Sequence, residues 1–305
     1  MAPKLAYLGL GNMGQAMCKN LVQKGNLSSP LVLYNRTAKR ANELSDRVGN
    51  CIVSSSITNA VADADIIFSC LTDDNAVLET FTEILKHDVK GKLFVSCSTT
   101  QPETSDKLAS LVEAQDAGLV TMPVFGEPSM AEKGLLTCVP AGRADLVVKV
   151  LPYCTGVIGR AVIDFSDQPH SKASLLKVIG NVFIINMIET VAEGLVLAEK
   201  AELGKENLHK FIEVIFPGPH ALYSKRMITG DYYTRDEPAV AIDMARHLAE
   251  EVSGLASASG AKLPAYEVAR KHLDMVKDYA GAKGDVSGIY GALRLLGGLA
   301  FENQN

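Results

Sequence analysis

The chain predicts an α/β protein: a doubly wound parallel sheet in the N-terminal half, a long connecting helix, and an all-helical C-terminal domain. Three observations carry this. Short apolar runs alternate with helical patterns through the first half, which implies a parallel sheet wrapped by helices on both faces. A glycine-rich turn, "GLGNMG", joins the first apolar run to the first helical pattern. Beyond Gln168-Pro169 the pattern is helical only. The expected domains are residues 1–166 and 167–305, with the connecting helix over about 169–203.

The elements follow in order. "KLAYLGLG" (4–11) reads as a strand feeding a turn, and "LVLYNR" (31–36), "DIIFSC" (65–70) and "KLFVSC" (92–97) as further buried strands. Helical patterns lie between them at Thr58–Ala62, Asn75–Lys86 and Glu103–Ala117. "GLVTMPV" (118–124), "LLTCVPAG" (135–142) and "AVIDF" (161–165) are expected as later strands of the same sheet. Pro169 suits a first helical position and Gly204 a C-terminal stop, which brackets the long helix. A helix apolar on most sides is expected to be buried between domains or subunits, so a homodimer or homotetramer is expected. Helices then follow over 206–216, 239–259, 263–280 and 285–299.

Composition narrows the function. The chain has 305 residues, a formal net charge of −5 and 47% apolar residues. It carries no global basic field for nucleic acid or an anionic membrane. The apolar stretch 178–198 holds Asn181, Asn186, Glu189 and Glu193, which a lipid-spanning helix rarely tolerates. Six cysteines without a CxxC pair read as buried free thiols. With no secretory segment read before the first strand, a cytoplasmic location is expected, or an organelle matrix.

Gly9-x-Gly11-x-x-Gly14 fits a dinucleotide fingerprint: a tight turn, close approach of a pyrophosphate, and close packing of helix on strand. A plain strand–helix turn is the alternative. The strand before it and the amphipathic helix after it (Met13, Met17, Leu21, Val22) favour the nucleotide. The second strand ends in Asn35-Arg36-Thr37, with Lys39 and Arg40 behind, where an NAD site usually places an acid for the ribose 2′-hydroxyl. A guanidinium suits a 2′-phosphate, so NADP (NADPH) is expected over NAD.

Lys177 is the sole charge in "SLLKVIGNVFIINMI" (174–188), and Asn181 lies one turn on, on the same face. Two readings stand side by side. A cation beside an amide can hold a substrate oxygen and move its proton, and desolvation would lower its pKa. Alternatively the ammonium snorkels to the surface.

Four ordered motifs carry a resemblance: "GLGNMGQAMCKNL", "STTQPE" (98–103), "PVFGEPSMAEKGLL" (123–136) and "KVIGN" (177–181). Over nearly its whole length the chain resembles the β-hydroxyacid dehydrogenase family, which includes 3-hydroxyisobutyrate dehydrogenase and the glyoxylate/succinic semialdehyde reductases. The resemblance implies a Rossmann domain, an interdomain helix and a helical domain. It implies that the turn from Gly9 to Gly14, with Leu10, Asn12 and Met13 inside it, binds the cofactor pyrophosphate. Asn35, Arg36 and Thr37 look like the NADPH-preferring members; Leu71 and Thr72 would line the cofactor, and Thr99 would lie near the nicotinamide ribose. Lys177 matches the catalytic lysine, while Asn181, with Ser98, Phe125, Gly126 and Glu127, falls on the substrate side. The implied reaction is hydride transfer to a small aldehyde- or keto-acid, with Lys177 as general acid or base.

The chain also departs from the family. Phe125 and Glu127 stand where members usually carry hydroxyl and glycine residues for a substrate carboxylate. Phe125 is then either a core aromatic or a rebuilt pocket wall. His247 stands at the family's C-terminal, cofactor-reaching lysine, or is an ordinary surface histidine; Ser96 replaces an aspartate. Two other functions compete: an imine reductase or reductive aminase, and a non-catalytic dinucleotide-binding interaction module. Lys177 argues against the first, which Phe125 and Glu127 favour weakly through the changed carboxylate pocket; Lys177 and the acidic charge argue against the second.

Overall fold

The computed structural model describes residues 2–303, and the chain divides into two compact units, residues 1–177 and 178–305. In the first unit, β1 (Leu5–Leu8), α1 (Asn12–Lys24), β2 (Leu31–Tyr34), α2 (Ala38–Val48), β3 (Cys51–Val53), α3 (Ile57–Ala62), β4 (Ile66–Ser69), α4 (Asp74–Ile84), β5 (Leu93–Ser96) and α5 (Pro102–Glu113) alternate without interruption. Then come β6 (Gly118–Thr121), β7 (Val124–Phe125), α6 (Pro128–Lys133), β8 (Leu136–Cys138), β9 (Ala141–Gly142), α7 (Ala144–Val150), β10 (Gly159–Val162) and β11 (Phe165–Ser166).

Eight strands form one sheet in the order β11-β9-β6-β5-β4-β1-β2-β3, parallel except where β6 meets β9. The side chains of β1 show why it is wrapped on both sides. Leu5 and Tyr7 enter one core with Met17 and Leu21 of α1; Ala6 and Leu8 enter the other with Val77 and Phe81 of α4. Successive strand residues point to opposite faces, so an unbroken apolar run needs cover on both. Each large side chain so buried contributes about 2 kcal/mol of transfer free energy.

The last strands correct the expectation of a single sheet. Each of the three late apolar runs is broken and serves two sheets: β7, β8 and β10 form a separate three-stranded sheet, while β6, β9 and β11 continue the large one. Pro123 lies between β6 and β7, and Pro140 between β8 and β9. Proline cannot donate to a ladder, so the strand switches sheets there. In the first unit β3, α2, α6 and α7 escaped the sequence reading. Strand β3 has only three residues, and α2 buries only Ala41 and Leu44.

Helix α8 spans His170–Lys200, starting after Pro169 and ending before Gly204, inside the expected range. The first unit ends at Lys177, within this helix and later than the expected 166, because the helix start is bonded to that unit. His170 Nδ1 lies 3.1 Å from Thr121 Oγ1, and the Ser171 N–H donates to Asp106 Oδ1 at 2.8 Å. The helix is apolar enough to match a membrane span, with mean hydropathy 1.6 over 18 residues, but Ile188, Val191, Ala192 and Leu195 are buried in the core of the second unit. In the single chain, Phe183 is 73% and Leu197 69% exposed.

The second unit continues with α9 (Lys205–Ile215), α10 (Pro219–Ile228), α11 (Asp231–Thr234), α12 (Ile242–Ser259), α13 (Pro264–Ala280) and α14 (Ile289–Leu296). Helices α10 and α11 had no counterpart in the sequence reading; α10 follows Pro217-Gly218 and opens on Pro219. Cys18, Cys97, Cys138 and Cys154 are buried, whereas Cys51 and Cys70 are only half-buried; all six are free thiols.

Candidate active site

The glycine turn lies at the C-terminal end of β1, and its three glycines do three different things. Gly9 sits at φ +92°, and a Cβ there would overlap the Cys70 carbonyl. A Cβ on Gly14 would overlap the Gly9 carbonyl oxygen, so this glycine lets α1 press on the turn. A Cβ on Gly11 would meet nothing within 4 Å. The space over Gly11 is open. Helix α1 has no side-chain cap at Gly11, so the first N–H groups, around Asn12 and Met13, remain available to an anion. Leu10 is buried, and its N–H donates to Asn35 Oδ1 at 2.9 Å.

That bond gives Asn35 a structural task. Its Nδ2 donates to the Thr37 carbonyl at 3.0 Å, so one amide ties the glycine turn to the end of β2. Arg36, Thr37, Lys39 and Arg40 are exposed beside it. No carboxylate stands among residues 35–40.

The loops after β4 and β5 complete the rim. The Leu71 N–H donates to Ser98 Oγ at 2.8 Å, and the Gln101 N–H donates to Asp74 Oδ1 at 3.0 Å. Ser98 is 1% exposed and serves as the bolt between the two loops. Thr72 is exposed, with its hydroxyl donating to Asp73 Oδ2 at 2.9 Å, and Thr99 is half-buried.

Lys177 does not snorkel. It is half-buried, and its Nζ donates to the Val124 carbonyl at 3.0 Å and lies 4.5 Å from the centroid of the Phe125 ring. The ring packs against the small core of Val139, Ala141 and Ala173 and also supplies a π-face to the ammonium. Burial lowers the Lys177 pKa to about 8, and the nearby Cys70 thiol acts in the opposite direction. Burial in turn pushes the Cys70 thiol up to about 11. Gly126, at φ +139°, turns the chain out of β7. Glu127 follows as the residue capping α6, and its Oε1 accepts from Ser129 Oγ at 2.6 Å.

Two expected site residues belong to the second unit. Asn181 follows Lys177 by one turn of α8; it is 7% exposed, and its Nδ2 has no hydrogen-bond partner among the described residues. His247 is exposed on α12, with Nε2 3.3 Å from Glu251 Oε1. Sequence reasoning missed the Val124 carbonyl and Cys70. A backbone acceptor leaves no mark in a sequence. Cys70 was visible as the residue before Leu71, but its nearness to Lys177 is tertiary.

A doubly wound sheet with an open-topped glycine turn and an inward lysine defines a nicotinamide-dinucleotide-dependent oxidoreductase. The comparisons agree. Residues 4–163 match the family described as the NAD binding domain of 6-phosphogluconate dehydrogenase. The chain is 42% identical over 290 residues to the NADH-dependent oxidoreductase ucdB of Aspergillus ustus, covering 95% of this chain and 98% of that one. It is 28% identical over 214 residues to glyoxylate/succinic semialdehyde reductase 1 of Arabidopsis thaliana, covering 69% and 71% respectively. The solved 3-hydroxyisobutyrate dehydrogenase of Salmonella typhimurium has the same fold, with a TM-score of 0.81 at 19% identity over 94% of this chain and 98% of that one. The chain belongs to the β-hydroxyacid dehydrogenase family, and it is a dehydrogenase or reductase.

Proposed function

We propose that the protein is an NADPH-dependent reductase of a small aldehyde- or keto-acid, such as glyoxylate or succinic semialdehyde, with Lys177 as the proton donor. The observation that carries this is the inward, partly desolvated Lys177 ammonium. The bound cofactor supplies the hydride. Gly9, Gly11 and Gly14 shape the pyrophosphate seat, with the N–H groups of Asn12 and Met13 as donors. Leu71, Thr72, Ser98 and Thr99 form the edge along which the nicotinamide end lies. In the second unit, the unpaired Asn181 Nδ2 is an available donor for a substrate oxygen; in the first, the Phe125 ring, with Gly126 and Glu127 after it, stands beside Lys177.

An ammonium has three N–H donors. One goes to the Val124 carbonyl and the Phe125 face takes another, leaving the third for the substrate oxygen. Donation there stabilises the developing alkoxide and then supplies its proton, worth roughly 10²–10⁴-fold in rate. The pH dependence follows. Reduction needs the ammonium, so kcat/KM for reduction should fall as pH rises through about 8. Oxidation needs the free amine, so it should rise through the same value. Rates measured in both directions from pH 6 to 10 check this; a reduction limb near the ordinary lysine value would remove the desolvated ammonium from the mechanism.

The NADPH preference rests on Arg36. An exposed guanidinium with Lys39 and Arg40 nearby suits the 2′-phosphate, and Asn35 is already engaged by Leu10 and Thr37. The NADH-dependent relative ucdB makes this a sharp question. Arg36→Asp should shift the kcat/KM ratio from NADPH toward NADH by at least about tenfold, one charged contact being worth ~1.5–3 kcal/mol. An unchanged ratio would take Arg36 out of cofactor selection.

A second reading is favoured by Phe125, whose ring stands beside the ammonium in place of a hydroxyl donor: reduction of an imine formed from a carbonyl and an amine. Oxidation of NADPH with glyoxylate, succinic semialdehyde and methylmalonate semialdehyde, each with and without an added amine, separates the two. Amine-independent turnover supports the carbonyl reductase. Turnover only with amine present supports the imine reaction. We place the enzyme in the cytoplasm or an organelle matrix, as a homodimer or homotetramer.

A further inference from the structure

The start of α8 is held by a buried hydroxyl cluster that the proposed chemistry does not use. Ser174 Oγ lies 2.6 Å from Ser105 Oγ of α5 and 3.4 Å from Thr100 Oγ1; the Thr100 and Ser105 hydroxyls are 2.8 Å apart. Ser174 is fully buried, Ser105 is 1% exposed and Thr100 is 3% exposed. Each member has a neighbour of interest. Thr100 follows Ser98 and Thr99 in the loop at the nicotinamide end. Ser174 precedes Lys177 by three residues, nearly one turn, on the same side of α8.

We propose that Thr100, Ser105 and Ser174 form a latch that sets the distance between the cofactor loop and Lys177, making Thr100 and Ser174 positioning residues for the proton transfer. The proposal rests on the reading of Lys177 as the proton donor. The physical case is one of economy and direction. An apolar contact would hold the helix against α5 without the desolvation cost of three hydroxyls. Apolar contacts, however, permit sliding, whereas hydrogen bonds fix both distance and angle. Three hydroxyls can also satisfy one another, each donating one proton and accepting another. The neighbouring bonds of His170 to Thr121 and Ser171 to Asp106 fix the helix start on the same unit but touch neither the loop nor the turn that bears Lys177. The hydroxyl cluster is a direct hydrogen-bonded link between these two.

The titratable neighbour of the ammonium is Cys70, at the end of β4, and its seat is otherwise the Val124 carbonyl and the Phe125 ring. If the latch slackens, the ammonium leaves that seat for water. Two effects should then appear together: poorer alignment and a lysine closer to its ordinary pKa.

The test uses the full chain with NADPH and whichever aldehyde acid it turns over. Thr100→Val removes the hydroxyl at nearly constant volume, Thr100→Ser keeps it, and Ser174→Ala and Ser105→Ala break the cluster elsewhere. Thr100→Val and Ser174→Ala should lower kcat about tenfold or more, given that a misplacement of ~1 Å can cost ~10²-fold, with NADPH Kd within about twofold of the parent. They should also move the basic limb of kcat/KM upward from about 8. Thr100→Ser should keep both the rate and the limb. A cluster that only holds the fold would lower Tm and leave kcat and the limb in place; that result overturns the latch, and Ser105→Ala decides it should either of the other two fail to fold. Lys177→Met, run alongside, keeps the two claims apart. An active Lys177→Met enzyme overturns the proton donor itself, whereas an inactive one beside unaffected latch variants overturns the latch alone.

Discussion

Lys177→Met should abolish turnover while raising the stability of the protein at pH 7. The first effect is the loss of the proton donor, roughly 10²–10⁴-fold. The second follows from linkage. Burial holds the Lys177 pKa at about 8 in the folded protein, below its ordinary value near 10.5. Below pH 8 the lysine is charged in both folded and unfolded chains, and the folded chain bears the cost of desolvating it. Between about 8 and 10.5 the unfolded chain binds more protons, so stability rises with pH, and the cost is gone once both forms are neutral. The shift corresponds to about 3 kcal/mol, reduced by partial exposure and by the Val124 carbonyl that methionine leaves unpaired. A net gain of about 1–2 kcal/mol is expected at pH 7, shrinking toward pH 10. Denaturation of both proteins at the two pH values reads it out. A variant less stable than the parent at pH 7 would mean that the ammonium is well solvated, and the desolvation argument would fall.

Asp285→Ala should be among the most destabilising single substitutions in the second unit. Asp285 is 1% exposed and fully used. Its Oδ1 accepts from Arg226 Nη2 at 2.7 Å, from the Ser287 N–H at 2.9 Å and from Ser287 Oγ at 2.6 Å; its Oδ2 accepts from the Val240 N–H at 3.0 Å. Arg226, itself 5% exposed, also bonds Asp231 at 2.8 Å. Removing the carboxylate leaves two backbone donors without it and a buried guanidinium short of one counter-ion, which costs about 3–5 kcal/mol. A shift in the urea midpoint at unchanged slope measures this. A loss under about 1 kcal/mol would mean that water replaces the carboxylate and that the network is not sealed.

Much of the fold was legible because its signals are local. The runs at β1, β2, β4 and β5 are apolar except for Ser69 and Ser96 at the ends of the last two, as expected of strands covered on both faces, and the helices between them bury one stripe. The late strands were legible as strands but not as members of two sheets, since which ladder a two- or three-residue segment joins is decided by Pro123, Pro140 and the partners across the gap. Strand β3 and helix α2 were too short or too polar to stand out. Helix α10 hides behind Pro217-Gly218-Pro219, which reads as a break although Pro219 is its first residue.

The site divides along the same line. Composition and spacing alone determined the doubly wound domain, the phosphate-side turn, the missing acid after β2 and an unusual lysine in an apolar helix, because each is a property of a few adjacent residues. The tertiary structure decided that the lysine turns inward to the Val124 carbonyl and the Phe125 ring, that Asn35 and Ser98 are ties between loops, that Cys70 is near enough to act on the ammonium, and that Ser174 of α8 meets the Thr100 and Ser105 hydroxyls about 70 positions earlier. The reason is physical. A residue's protonation, its free donors and its distance from a reacting atom are set by what surrounds it, and Val124 and Lys177, 53 positions apart in sequence, meet only in the folded chain.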